Sequence, residues 1–138
     1  MYTGSCLCKA VRYRIRAELP PIQACYCGMC RKAQGTPFAT NIPVPAQSFE
    51  LLSGAAALRE YESSPGKRRV FCGTCGSPIY SMRAGLDVLR VRAGLIEEPL
   101  PGPLIHCHVA SKCDWWTIRE PGAQFREGYE QPRDTGPA

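Results

Sequence analysis

No stretch of this chain is apolar enough to span a membrane. Its first residues, Met1-Tyr2-Thr3-Gly4, lack the basic-then-apolar signature of a secretory leader. Both absences lead us to expect a cytosolic protein whose thiols stay reduced. Concentrated charge is missing as well. The net charge is +5, but the basic residues are scattered and the densest run is Lys67-Arg68-Arg69, beside a Ser-Ser-Pro-Gly turn. Three adjacent positives at a turn read as a solvated surface, so neither nucleic acid nor membrane is expected as a partner. There is no internal repeat, and nothing in the sequence specifies an oligomeric state. What the chain does have is nine Cys, thirteen Pro and thirteen Gly in 138 residues. The length suits one domain, and the Pro and Gly content calls for many short elements joined by turns.

The hydrophobic pattern agrees. Val11, Tyr13 and Ile15 alternate with Arg12, Arg14 and Arg16, the period of a half-buried strand. Residues 27–34 predict a short helical turn ending at Gly35, and Phe38 to Val44 a strand stopped by Pro43 and Pro45. Further strands are expected at 49–52, 58–63, 69–72, 79–82, 86–93 and 105–109, with turns at Ser53-Gly54 and Ser64-Pro65-Gly66. The chain is expected to be all-β, with its core over residues 3–118. Residues 120–138 are expected to form a surface-hugging or disordered tail.

Seven of the nine cysteines fall into three clusters: Cys6-x-Cys8, Cys25-x-Cys27-x-x-Cys30, and Cys72-x-x-Cys75-Gly76. An odd count in a reducing compartment speaks for metal over disulfides. Seven thiols are too many for one tetrahedral zinc and one too few to close two. Structural zinc takes four protein ligands, whereas catalytic zinc keeps three and leaves a position open. Spacing alone leaves the partition undecided. A single ribbon could join the two Cys-x-x-Cys knuckles, Cys27/Cys30 with Cys72/Cys75, and leave Cys6, Cys8 and Cys25 as buried thiols. An iron–sulfur cluster fits neither ferredoxin spacing, and a thioredoxin-like role for Cys72/Cys75 lacks its βαβ context.

In this order the clusters resemble the glutathione-dependent formaldehyde-activating family, which includes the centromere protein V relatives. The resemblance is carried by Gly4-x-Cys6-x-Cys8 with Val11 and Tyr13, by Cys25-x-Cys27-x-x-Cys30-Arg31, and by Phe71-Cys72-x-x-Cys75-Gly76. Supporting positions are Leu52-Ser53-Gly54, Tyr61, Pro103-x-x-His106, Ser111-Lys112 and Trp115. It implies a β-tent fold with two Zn²⁺ ions: a structural one on Cys6, Cys8, Cys72 and Cys75, and a catalytic one on Cys25, Cys27 and Cys30. It also implies carbon–sulfur lyase chemistry, the addition of glutathione to formaldehyde, with small-molecule thiol and aldehyde substrates. Two positions depart from the family's usual pattern: Tyr26 stands where histidine is common, and Lys9 where glycine is common.

An open three-thiolate zinc could bind and deprotonate a substrate thiol, polarise a carbonyl or carry an activated water. Three thiolates soften the dication and favour exchange of a soft ligand such as sulfur. Glutathione carries two carboxylates, so Arg31, Lys32 and Lys112 are candidates for a basic wall. His106 and His108 are expected to share one face of the last strand, with Cys107 on the other. Either His106 or Cys107 could close the middle site as a fourth ligand, which would make the protein a zinc-stabilised binding module. A same-fold zinc enzyme with another small-molecule substrate is the third possibility. Cys107 and Cys113 read otherwise as ordinary buried cysteines, and Trp115 and Trp116 as core or interface aromatics.

Overall fold

The computed structural model describes residues 1–129. It is mainly β, with ten strands, one α-helix and short 3₁₀ turns, as the turn-rich sequence led us to expect. The chain divides into two compact units. The larger comprises Met1–Ile22 and Thr40–Gly102, and the smaller comprises Gln23–Ala39 and the segment from Pro103 onward.

In the larger unit, β1 (Tyr2–Ser5), β2 (Arg12–Ile15) and β5 (Phe49–Ser53) form an antiparallel sheet with β2 in the middle. A second run of antiparallel neighbours follows the order β4 (Ala39–Pro45), β9 (Val88–Arg92), β8 (Pro78–Arg83), β7 (Lys67–Cys72) and β6 (Leu58–Ser64). The alternation read at residues 11–15 sends Val11, Tyr13 and Ile15 into the core, where they meet Ile42, Val44, Ile79 and Val91. Each such aliphatic side chain contributes about 1.5–3 kcal/mol by leaving water. Tyr13 stacks on Phe49 with ring centroids 4.7 Å apart. Its cross-strand partner is Gly4, where any Cβ would run into the tyrosine ring.

The strand expected to stop at Pro43 instead runs through Pro43 to Pro45, in register with Arg90 and Val88 of β9. The two prolines have the same parity, so both missing N–H groups point to one side of the strand.

In the smaller unit, β3 (Gln23–Cys25) pairs in parallel with β10 (Ile105–Cys107), and α1 (Gly28–Gln34) follows β3 closely. The helix starts where Cys27, in extended conformation, accepts a hydrogen bond from the Cys30 N–H. It stops at Gly35, which adopts the left-handed conformation (φ 67°) and donates to Arg31 O. Residues 121–129 run beside β10, with backbone bonds such as Phe125 N–H to His106 O at 2.8 Å and His108 N–H to Glu127 O at 2.8 Å. This part of the expected tail is held along the surface of β10. Residues 130–138 lie outside the described residues.

Candidate metal and thiol centre

The seven clustered cysteines assemble into two groups. The sulfurs of Cys6, Cys8, Cys72 and Cys75 lie within 4.8 Å of one another, and so do those of Cys25, Cys27 and Cys30. The group of four belongs wholly to the larger unit and the group of three wholly to the smaller. A ribbon of Cys27/Cys30 with Cys72/Cys75 would have to draw ligands from both. None of the nine cysteines is in a disulfide. Neighbouring sulfurs stand 3.6 Å (Cys6–Cys8), 3.8 Å (Cys8–Cys72) and 3.5 Å (Cys25–Cys27) apart. A disulfide needs about 2.05 Å, whereas a tetrahedral zinc with bonds of about 2.3 Å separates its sulfurs by about 3.8 Å. The spacing and chemistry of both donor sets fit a thiophilic cation, so both groups could hold a metal ion.

The group of four sits on two turns. Cys6 and Cys8 lie just beyond β1 in a turn closed by Lys9 N–H to Cys6 O at 3.1 Å and Cys6 N–H to Val11 O at 3.0 Å. Lys9 adopts the left-handed conformation (φ 65°), which explains the usual glycine there: a side chain at this angle is strained. Cys72 and Cys75 form the β7–β8 turn, where Gly76 takes φ 81° and donates to Cys72 O at 2.7 Å. Hydrogen-bond donors surround these sulfurs. Val11 N–H points at Cys6 Sγ at 3.3 Å, and Ser77 Oγ lies 3.2 Å from Cys75 Sγ. The Ser77 hydroxyl and backbone, then the Cys8 backbone, pull the Cys75 thiol down to about 5. Backbone N–H groups of Cys75 and Thr74 draw Cys72 down as well. Cys8, despite a lowering backbone bond at Ala10, is pushed up to about 11 by desolvation and its thiol neighbours.

The group of three sits where β3 passes into α1. Cys25 ends the strand, Cys27 caps the helix, and Cys30 lies in its first turn. Cys25 and Cys30 are buried and Cys27 is half-buried. Here the sulfurs face mainly one another. A hydrogen bond with Cys107 is the foremost reason that Cys25 holds its proton far above the usual thiol range. Cys27 is raised by its bonds to Cys25 and Cys30 and by burial, against a single lowering N–H from Cys30.

Behind this group, Tyr26 is fully buried and its hydroxyl lies 2.9 Å from His106 Nδ1. His106 Nε2 lies 3.4 Å from Pro121 O, so Nε2 carries the proton and Nδ1 accepts from the tyrosine. Burial and then Glu120 push the Tyr26 hydroxyl up to about 12. The tyrosine that replaces the usual histidine therefore presents nothing to solvent and acts on packing. His106 and His108 do not share a strand face. The strand ends at Cys107, and His108 turns into the left-handed conformation (φ 56°). Of the basic candidates, Arg31 Nε donates to Tyr26 O at 3.3 Å and Lys32 is exposed. Lys112 Nζ is committed to the carbonyls of Cys113 and Trp116. The Trp116 ring is 6.0 Å from Phe38, whereas Trp115 is exposed. Sequence spacing gave no sign of the Tyr26–His106 pair, which depends on parallel pairing between distant strands; that pairing also brings Cys107, one of the two fourth-ligand candidates, beside Cys25, whereas the other, His106, is bonded to Tyr26.

Among the described residues no helix is long and apolar enough to cross a membrane. The family model described as glutathione-dependent formaldehyde-activating enzyme matches residues 1–116. A Halomonas elongata protein named putative glutathione-dependent formaldehyde-activating enzyme is 33% identical over 126 residues, covering 83% of this chain and 79% of its own length. An uncharacterised lyase of Schizosaccharomyces pombe is 33% identical over 79 residues, 57% of this chain and 56% of the relative. In fold, the chain is similar to a Rhodobacter sphaeroides protein of known crystal structure (TM-score 0.62, 24% identity, 75% of this chain and 98% of that one). With the three clusters and the mainly-β architecture in the matched region, the chain belongs to the glutathione-dependent formaldehyde-activating enzyme family.

Proposed function

We propose that the protein is a zinc-dependent carbon–sulfur lyase that joins a small thiol, glutathione or a relative, to formaldehyde or another small aldehyde, like an S-(hydroxymethyl)glutathione synthase. The observation that carries this reading is the group of three: three thiols gathered within 4.8 Å of one another, one short of a closed tetrahedral set. Cys25, Cys27 and Cys30 would hold the catalytic zinc, which would supply acidification of a substrate thiol and polarisation of a carbonyl. Cys6, Cys8, Cys72 and Cys75 would hold a structural zinc that contributes folding energy.

The chain's own residues set the geometry. The Cys30 N–H on Cys27 Sγ at 3.4 Å orients the capping thiol on the first turn of α1. The Tyr26–His106 bond fixes β3 against β10 directly behind it. In the addition, the thiol sulfur bonds to the carbonyl carbon, the C=O π bond opens, and the thiol proton ends on the new hydroxyl. Tyr26 and His106 are fully buried and bonded to each other, so they serve by position rather than as proton carriers to solvent. Arg31 and Lys32, next in the chain after Cys30, would meet the carboxylates of glutathione. The test is to incubate the zinc-loaded protein with glutathione and formaldehyde and follow adduct formation by NMR, with Cys27→Ser as control. Acceleration lost in the variant supports the reading. A rate equal to the spontaneous reaction overturns it.

A further inference from the structure

A fourth thiol stands beside the group of three. Cys107, the last residue of β10, is in parallel register with Cys25, the last residue of β3. Residues in register on neighbouring strands project from the same face of the ladder. Cys107 is 6% exposed and packs in one buried cluster with Cys25, Cys30 and Ala39, and Cys27 lies against that cluster. It lies against Cys25 in that cluster, and its thiol donates to Ala24 O at 3.4 Å. A thiol hydrogen bond such as that to Ala24 O is weak and costs little to exchange. Filling space alone would need only a small apolar residue. This position instead adds a soft donor to a set that lacks one.

A three-thiolate metal with an open position takes the nearest soft ligand. A thiol tethered at the next strand has an effective concentration in the millimolar range or above. That is the range in which an abundant cellular thiol can compete with it. We propose that Cys107 is the resting fourth ligand of the Cys25/Cys27/Cys30 centre and gives way to the substrate thiol, an inference that rests on the proposed function above. The exchange balances. One metal–sulfur bond breaks as another forms, and the proton released by the incoming thiol is matched by the one Cys107 takes up. Closed by Cys107, the centre keeps its metal when no substrate is present. Opened by a thiol, it accepts no other small ligand first.

The test uses the full chain with both groups loaded with zinc. X-ray absorption at the zinc edge should give a mean of about four sulfurs per zinc in the resting protein and about 3.5, with a light-atom ligand, in Cys107→Ala. Glutathione added without aldehyde should bring the variant back to about four. With its internal competitor removed, the variant should bind glutathione at least about threefold more tightly by calorimetry. Cys107→Val, which suits a parallel strand, serves if the alanine variant does not fold. A mixed sulfur and light-atom shell in the resting wild type, unchanged in either variant, overturns the inference. If adduct formation is nevertheless accelerated, the proposed function survives that loss. An all-sulfur resting shell that depends on Cys107 and ignores glutathione overturns the release step. Absence of turnover in that same sample would sink the proposed function separately.

Discussion

The two cysteine groups contain the same donor atom at similar spacing, yet their surroundings differ in kind. Around the group of four, backbone N–H groups and the Ser77 hydroxyl point at sulfur, and Cys72 and Cys75 are drawn toward thiolate before any metal arrives. Around the group of three, thiols face thiols, one N–H serves Cys27, and Cys25 and Cys27 keep their protons far into alkali. Hydrogen bonds to a ligand sulfur drain charge from it and hold it in place, which suits a site that stays closed. Sulfurs that face mainly other sulfurs keep more of their charge for the metal and are easier to exchange. The same residue type thus meets two different environments, one that suits the scaffold role proposed above and one that suits the proposed chemistry.

Breaking each group in turn should expose this difference. Cys6→Ser, or stripping metal with a strong chelator, should remove cooperative unfolding of the larger unit. Structural zinc supplies about 10–16 kcal/mol of apparent binding energy in small domains, more than the total stability of a typical domain. Thermal melts followed by circular dichroism check this, and an unchanged melt would dissolve the contrast. Cys27→Ser should leave the far-ultraviolet spectrum intact while lowering the proposed activity by about 10²-fold or more, measured as initial rates of adduct formation.

The pH dependence of metal uptake sharpens the comparison. A metal must displace the protons that Cys25 and Cys27 hold in the folded chain, so falling pH penalises the group of three first. In the group of four Cys8 is also held up, at about 11, but Cys72 and Cys75 are drawn down, Cys75 to about 5, which keeps that group the more competitive as pH falls. Equilibrium dialysis from pH 8 downward should show one equivalent lost well before the other. Simultaneous loss would contradict the assignment. Smaller effects come from the supporting residues. Tyr26→Phe strands a buried His106 nitrogen and should cost about 1–3 kcal/mol in urea unfolding. Lys9→Gly relieves the left-handed strain beside Cys8 and should stabilise by about 1 kcal/mol.

Much of this was legible in the chain. Alternation marked β2, the Cys27-to-Gly35 interval marked α1, and Cys72-x-x-Cys75-Gly76 marked a turn whose glycine does take a positive φ. These are local signals, set by parity, capping and turn angle. β1 and β3, four and three residues long, are too short for a period to show. The Tyr26–His106 bond spans 80 residues, and Cys107 meets Cys25 only because β10 lies parallel to β3. Such pairings have no local spacing to read. Cys6 and Cys8 lie off the strand because the chain turns at Lys9.

The parallel pairing of β3 with β10 also sets a timetable for biosynthesis. At about 5–20 residues per second, the 80 residues between Tyr26 and His106 take roughly 4–16 s to synthesise. Throughout that interval Cys25, Cys27 and Cys30 have been made but the strand that helps bury them has not. Any metal they capture, or any oxidation they suffer, can precede the fold that later encloses them. The smaller unit closes over whatever state its thiols have reached by then.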